Sequence, residues 1–313
     1  MDFELSPDQR AIAEALTQLL ERHAGPARAA ELAAKGEYDA ALDVALAEAG
    51  FDSLATGGGG DTGPLEAALA TESVARAGGA VAFAATALVV PCVARRLLPG
   101  PVALARVGEE GPVRFASHAR TLLVTDGDRA RVVGLSPGDT TPIRSNFGYP
   151  FARISAQARR RGDALEPGSG ERLVAWWRVA LAAEALGAMD AALRFTVAYL
   201  SERKQFGRPI GSFQAVQHRL AECAVAIEGT RWMVYEAAAH GAPAGLACAT
   251  AGHASLAAGQ VHRETHQLSG AIGYTTEHDL HVWSMRLQAL RLELGGAGAH
   301  FRALAREHWG AGS

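Results

Sequence analysis

The densest run of chemically capable residues is YLSERKQFGRPIGSFQ, from Tyr199 to Gln214. Three cations, Arg203, Lys204 and Arg208, fall beside Gly207, Pro209 and Gly211. Glycine lets backbone approach closely whatever docks against it. A guanidinium presents a planar fork of donors to phosphate oxygens. Together they suit a pyrophosphate. The same cations at the end of a helix would complement its dipole, so on these residues alone a purely structural role stays open.

Other groups carry weaker signals. His262 and His266 are one helical turn apart with Glu264 between them, but HRETH lacks the H-E-x-x-H order of a zinc-binding helix. They read as polar interface or surface residues, and no metal is expected. Asp279, between His278 and His281, stands where a helix should start and reads as its cap. The glycine run 57–60 is not followed by the G-K-[ST] of a phosphate loop and reads as a flexible turn. Cys92, Cys223 and Cys248 are odd in number and form no C-x-x-C, as free buried thiols of a reducing compartment would be. The clusters Arg95, Arg96 and Arg159, Arg160, Arg161 read as solvated surface. With 30 basic against 33 acidic residues there is no basic stripe, so no nucleic-acid partner is expected. The N-terminal MDFELSPDQR is too polar for a secretory signal. The longest apolar run, 80–90, falls short of the roughly 20 residues that span a bilayer. The expected location is cytoplasmic, without membrane contact.

The elements that must position these groups are mostly helical. A chain of 313 residues is long enough for two or three domains. With 49% hydrophobic but only 6% aromatic residues, its core must be built from Ala, Leu and Val, a composition that favours packed helices. Ser6, Pro7 and Gln9 form a capping-box start for a first helix bearing Ile12, Leu16, Leu19 and Leu20 on one face. Further helices are expected over 40–49, 65–77 and 81–98, before Pro99, Gly100 and Pro101 end the run. Residues 102–157 are short runs of β-formers, four or five strands at most, with a hairpin at Asp126, Gly127 and Asp128. Long helical patterns at 172–200, 213–241, 243–268 and 278–294, joined by short loops, predict an antiparallel four-helix bundle. The predicted class is mainly α with a small β domain, divided at 1–99, 100–165 and 166–313.

At this point the residues carry a resemblance. YLSERKQFGRPIGSFQAVQHRLAE and, downstream, HQLSGAIGYTTEHDL resemble the C-terminal signature blocks of the acyl-CoA dehydrogenase family, and LSPDQRAIAEALTQLLERH is similar to its N-terminal helix. The resemblance is loose over 1–98 and close over 171–306. It implies a flavoenzyme fold of N-terminal helical domain, middle β domain and C-terminal four-helix bundle, with FAD lying across a subunit interface. It further implies that Arg203 reaches the pyrophosphate of a partner's FAD, that Gln205, Phe206 and Gln214 belong to the same contact, and that Gln267, Leu268, Gly270 and Ala271 meet the adenosine end.

Two departures qualify it. Family chemistry needs a carboxylate base to take the α-proton of the acyl-CoA while flavin accepts hydride. The two positions where the family places that glutamate correspond to Gly295 and Trp177, so no catalytic residue is expected in this chain; Glu293, two residues from the first, is the one alternative base. Arg178 matches an arginine often near the family's active site, and a structural role for it is equally open. The middle segment is about half the usual size and lacks the part that cradles the flavin ring. The chain thus resembles the shorter subunit of heterotetrameric (α2β2) bacterial members that act on steroid side-chain CoA thioesters. There, a full-length partner supplies the base and binds most of the acyl-CoA, the two chains share FAD, and the product is an α,β-enoyl-CoA. The rival expectations are a self-sufficient enzyme using Glu293, and a non-enzymatic acyl-CoA-binding or scaffold protein.

Overall fold

The computed structural model describes residues 5–57 and 62–310. Of the glycine run 57–60, all but Gly57 lies outside the described residues. The N-terminal helices are α1 (Pro7–His23), α2 (Pro26–Lys35), α3 (Ala40–Glu48) and α4 (Pro64–Arg76). The capping box of α1 forms as its sequence predicts: the Gln9 amide N–H donates to the Ser6 hydroxyl (3.1 Å) and the Ser6 N–H to the Gln9 side chain (2.9 Å). A π-helical turn, Ala84–Val89, runs into α5 (Val90–Ala94), where one continuous helix over 81–98 had been expected. Helix α2 was not anticipated. Its ten residues are half alanine, and a short Ala-rich helix shows little periodicity.

The β region holds seven short strands rather than four or five: β1 (Val102–Arg106), β2 (Val113–Arg114), β3 (Thr121–Asp126), β4 (Arg129–Gly134), β5 (Thr140–Ile143), β6 (Phe151–Ile154) and, after α6 (Ala156–Arg160), β7 (Asp163–Ala164). Two of them are only two residues long and leave no alternating pattern to read. They form one sheet in the order β1-β3-β4-β7 and another in the order β2-β6-β5. Strands β3 and β4 make the expected hairpin, with Asp126 opposite Arg129. Alternation along β1 divides its side chains between two cores. Val102 and Leu104 join the main helical core, while Ala103 and Ala105 pack with Leu122, Val124 and Ile154 in a small core of the sheets. Arg159 is no solvated residue. It is 5% exposed, and its guanidinium donates to the carbonyls of Arg106 (3.0 Å) and Gly111 (3.2 Å), which lets it lie inside without a carboxylate. Arg161 pairs with Asp139.

At the centre of the bundle is α7 (Ser169–Glu202), which packs against α4 and the three helices that follow it. Its stretch from Val179 to Leu193 is buried on every side, as an all-round apolar helix must be. Helices α8 (Gln214–Ala239), α9 (Ala244–Ser269), α10 (Leu280–Leu290) and α11 (Gly296–Trp309) follow. The last was not anticipated. Gly295 (φ +86°) and Gly296 (φ +67°) read as a terminating loop but form the turn between α10 and this fifth helix, which packs on α9. The mainly α architecture with a small β region agrees with the sequence reading. Among the described residues, no helix is long and apolar enough to cross a membrane.

Where α4 crosses α7, backbones touch. A Cβ on Gly187 would lie 2.1 Å from the Glu72 carbonyl oxygen and 2.8 Å from the Arg76 nitrogen. Beside this crossing an ion network ties α4, α7 and α8. Glu72, 2% exposed, meets Arg76 (2.5 Å), Arg231 (3.2 Å) and the Tyr235 hydroxyl (2.6 Å), and Asp190 adds bonds to Arg76 (3.1 Å) and Arg194 (2.8 Å). Neither backbone atom facing Gly187 can yield as a side chain would. Gly187→Ala is therefore expected to cost about 2 to 3 kcal/mol, measured as a lower midpoint of urea unfolding.

His300 on α11 is 1% exposed and its Nδ1 has no hydrogen-bond partner. Burial, reinforced by Arg178 and Arg106, holds its pKa down to about 4 from the usual 6.5. The unfolded chain then binds more protons between those values, so stability is complete above about pH 6.5 and declines as pH falls towards 4. The loss from this group is on the order of 3 kcal/mol by about pH 4. Thermal melts across that range should show the decline, and His300→Gln should flatten part of it.

Candidate functional site

Helix α7 ends at Glu202, and the chain turns at once into a two-stranded ribbon, β8 (Lys204–Gln205) against β9 (Arg208–Pro209). The turn residues are Phe206 (φ +54°) and Gly207 (φ +79°). Positive φ at both central positions is the geometry of a tight hairpin turn. Glycine takes it freely, but phenylalanine does so only at a cost in strain. The turn displays Phe206, which is 93% exposed. The Ile210 amide donates to the Arg203 carbonyl (2.9 Å) and closes the ribbon. The Arg208 guanidinium lies 4.0 Å over the Phe213 ring, which also meets Phe206 edge-on at 6.2 Å. Arg203 and Lys204 are exposed, with no ion-pair partner among the described residues.

Gln214 begins α8 and is exposed, while Gln205 donates only to the carbonyl of its neighbour Lys204 (2.7 Å). Gln267, at the far end of α9, is exposed, as are Gly270 and Ala271 in the 3-10 turn Gly270–Tyr274, whereas Leu268 is half-buried. The two segments share one end of the bundle, where Arg219 on α8 pairs with Glu264 on α9 at 2.5 Å. The structure thus gathers the sequence-predicted residues into an exposed surface of free cations, amides and glycine backbone. This donor set fits a phosphate-bearing cofactor lying against the chain from outside.

Trp177 and Glu293 meet elsewhere in the molecule. The Trp177 indole N–H donates to Glu293 Oε1 (2.6 Å), and Arg114 Nε donates to Glu293 Oε2 (2.6 Å). Arg114 also makes a two-pronged pair with Glu184 (3.0 and 2.9 Å). Burial works against the charge of Arg114, but the carboxylates of Glu184 and Glu293 outweigh it and hold its pKa well above the ordinary value. Tyr149, 5.0 Å beneath the same guanidinium, is pushed up to about 12 by burial. The cavity left beside these groups, lined also by Ala84 and Phe115, has about 20 Å³ of space. That is room for roughly one water, not for an acyl thioester or a flavin ring. Gly295 supplies only the turn after Glu293. Arg178 does not line this cavity; its charge is felt by His300 beneath α11.

The histidines sit in two groups of tilted aromatic contacts. The His266 ring sits 4.4 Å from His262 and 4.9 Å from Tyr274, and His278 lies 4.6 Å from Phe195. Among the described residues, no group of three or more His, Cys, Asp or Glu is placed to hold a metal ion. Asp279 does stand at the start of α10, but its side chain makes no cap bond, because the chain enters the helix already in helical conformation (ψ −6°). All three cysteines are free, Cys223 and Cys248 buried and Cys92 half-buried. Arg114, Glu184, Tyr149 and Arg286 were not singled out from the sequence. Glu184 had one signal, a lone carboxylate in the apolar middle of α7. The others are joined to it only by the fold.

This chain belongs to the acyl-CoA dehydrogenase family: residues 6–96 match its N-terminal domain and residues 171–308 its C-terminal domain. It is 32% identical to acyl-CoA dehydrogenase IpdE2 of Mycobacterium tuberculosis over 330 residues, covering 97% of this chain and 98% of that one. The Mycolicibacterium smegmatis IpdE2 is 29% identical over similar coverage. In fold it matches a chain of the ChsE4-ChsE5 complex from Mycobacterium tuberculosis (TM-score 0.80, 21% identity, 100% of both chains). It likewise matches a variant of the Tcur3481-Tcur3483 steroid ACAD (TM-score 0.79, 24% identity, 95% of this chain and 96% of that one).

Glu293→Gln removes a half-buried charge that faces Arg114 and leaves Glu184 in place. A loss of about 1 to 3 kcal/mol in folding stability is expected, measurable by urea unfolding of the purified chain.

Proposed function

We propose that this chain is the base-lacking subunit of a heteromeric, FAD-dependent acyl-CoA dehydrogenase and completes the flavin site of a full-length partner. One contrast carries the reading. The exposed turn from Arg203 to Phe206 and the Gln267 segment offer unpaired donors at one end of the bundle. The space beside Trp177 and Glu293 is filled by Arg114 and its carboxylates, leaving about 20 Å³. Arg203 would hold the pyrophosphate of FAD by charge-assisted bonds, with Gln205, Phe206 and Gln214 beside it and Gln267, Leu268, Gly270 and Ala271 towards the adenosine. When bound, FAD supplies the hydride acceptor. This chain's own residues bind and orient it and take no proton from substrate.

The acyl-CoA is then bound mainly by the partner, and the product is an α,β-enoyl-CoA. Similarity to a complex of two chains and to a steroid ACAD supports a heteromer, in our reading α2β2, and a bulky steroid side-chain acyl group. We read the complex as cytoplasmic, and the chain as three domains divided at 99 and 165. The engagement of both Glu293 oxygens by Trp177 and Arg114 disfavours a self-sufficient enzyme with Glu293 as base.

The test is expression of the chain alone and together with a full-length family member, followed by flavin absorbance and turnover. FAD and activity are expected only in the pair. Arg203→Ala should weaken FAD retention by the pair about 10- to 100-fold, the loss of one to two charge-assisted hydrogen bonds, while Glu293→Gln leaves the rate of the pair unchanged. Stoichiometric FAD with turnover from the chain alone would overturn the proposal.

A further inference from the structure

A cleft of about 1160 Å³ opens on another side of the molecule, between α2, the segment joining β5 to β6, and the approach to α10. One wall is alanine: Ala29, Ala30, Ala33 and Ala34 face it from α2. The charged residues that line the cleft are all cations, Lys35 at the end of α2 and Arg144 and Arg286 opposite, with the imidazoles of His118, His266 and His281 beside them, and among the described residues no aspartate or glutamate lines it. Lys35 spends its charge on Glu31 (2.7 Å), but Arg144 is exposed and has no ion-pair partner among the described residues.

Two lining groups are nine-tenths or more buried and incompletely satisfied. Arg286 is 2% exposed. Its Nε and Nη1 donate to the carbonyls of Gly148 (3.2 Å) and Gly79 (3.0 Å), its guanidinium lies 5.0 Å from the Tyr149 ring, and Nη2 has no partner. Among the described residues it makes no ion pair, although a buried charge is costly unless paired. His266 is 6% exposed, burial pushes its pKa down to about 4 so that it stands as a neutral imidazole, and beyond a weak approach to the Gly273 backbone neither ring nitrogen makes a well-formed hydrogen bond among the described residues. Buried polar groups left open in this way call for an acceptor that the chain does not itself provide.

We propose that this cleft is a binding site for a small organic anion, a carboxylate or phosphate ester carried on an apolar body. The anion would answer Arg286, Arg144 and His266, and the body would lie against the alanine face of α2. The volume exceeds the few hundred Å³ a single anion needs and suits a ligand the size of a nucleotide or a medium-chain acyl compound. The residues assigned to flavin, Arg203, Gln214 and 267–271, do not line the cleft, although His266 and Gly273 on either side of that last segment do, so the cleft adjoins the flavin surface without including it. It is separate from the small cavity at Glu293, from which Tyr149 divides it: that one ring meets the Arg286 guanidinium and the Arg114 guanidinium, each at 5.0 Å.

The experiment is calorimetric titration of the full-length, flavin-free chain with decanoate and with ADP, using decanol and inorganic phosphate as the body-only and head-only controls. ADP is also half of FAD, so its titration is repeated with Arg203→Ala: ADP affinity unchanged by that variant belongs to the cleft, whereas ADP affinity lost with it would belong to the flavin surface and overturn the cleft as its site. Binding of decanoate or ADP at least about tenfold tighter than either control is expected, the worth of one charge-assisted hydrogen bond. Which of the two binds distinguishes a fatty carboxylate from a nucleotide phosphate. Arg144→Glu and Ala34→Trp alter exposed residues, one reversing the charge and the other filling the groove, and circular dichroism checks that each folds. At least one of them should weaken binding about tenfold or more. No binding by either ligand, decanol equalling decanoate with ADP silent, or unchanged affinity in both variants would overturn the proposal.

Discussion

The guanidinium of Arg114 joins three parts of the chain that are far apart in sequence. It leaves a two-residue strand, forks onto Glu184 in the middle of the central helix, and reaches Glu293 at the turn before the last helix. Such a cluster persists inside a protein only when each charge is answered and each donor placed. Here the carboxylates share the guanidinium, and the Trp177 indole takes the remaining oxygen. The consequence is geometric. The β region is fastened against the bundle beside Trp177 and Glu293, and the interior there has room for about one water.

The contrast with the other end of the bundle is equally physical. The turn at Phe206 keeps a large apolar ring almost wholly in solvent on a strained backbone. A monomer gains nothing from that arrangement, and strain of this kind persists where function holds it. Close by, two cations have no ion-pair partner among the described residues. Filled interior and unsatisfied exterior are complementary observations, and the heteromer reading rests on both together.

What was legible in the sequence was local. The cap at Ser6, Pro7 and Gln9 closes over three residues, and the hairpin at Gly127 is set by its own turn, so both appear as written. The Arg203 turn was legible because its cations and glycines are contiguous. Less local features escaped. Trp177 and Glu293 were each weighed as a position for the base, but their hydrogen bond spans 116 residues and no spacing rule connects them. Arg159 was misread as surface because three arginines in a row look solvated, and only the fold brings carbonyls to one of them. The fifth helix was hidden by the glycines at 295, 296 and 298, which mark both its turn and its first residues.

The length of the central helix has a consequence of its own. Its 34 residues make a rod of about 50 Å, with Trp177 near one end and Arg203 just past the other, roughly 40 Å apart at 1.5 Å per residue. Features that far apart on a stiff element can change independently. A lineage could plug one end of the rod while the other went on being selected for docking. The same separation gives an engineer two workspaces, so that interior volume could be carved out at Trp177 without disturbing the surface that meets a neighbour.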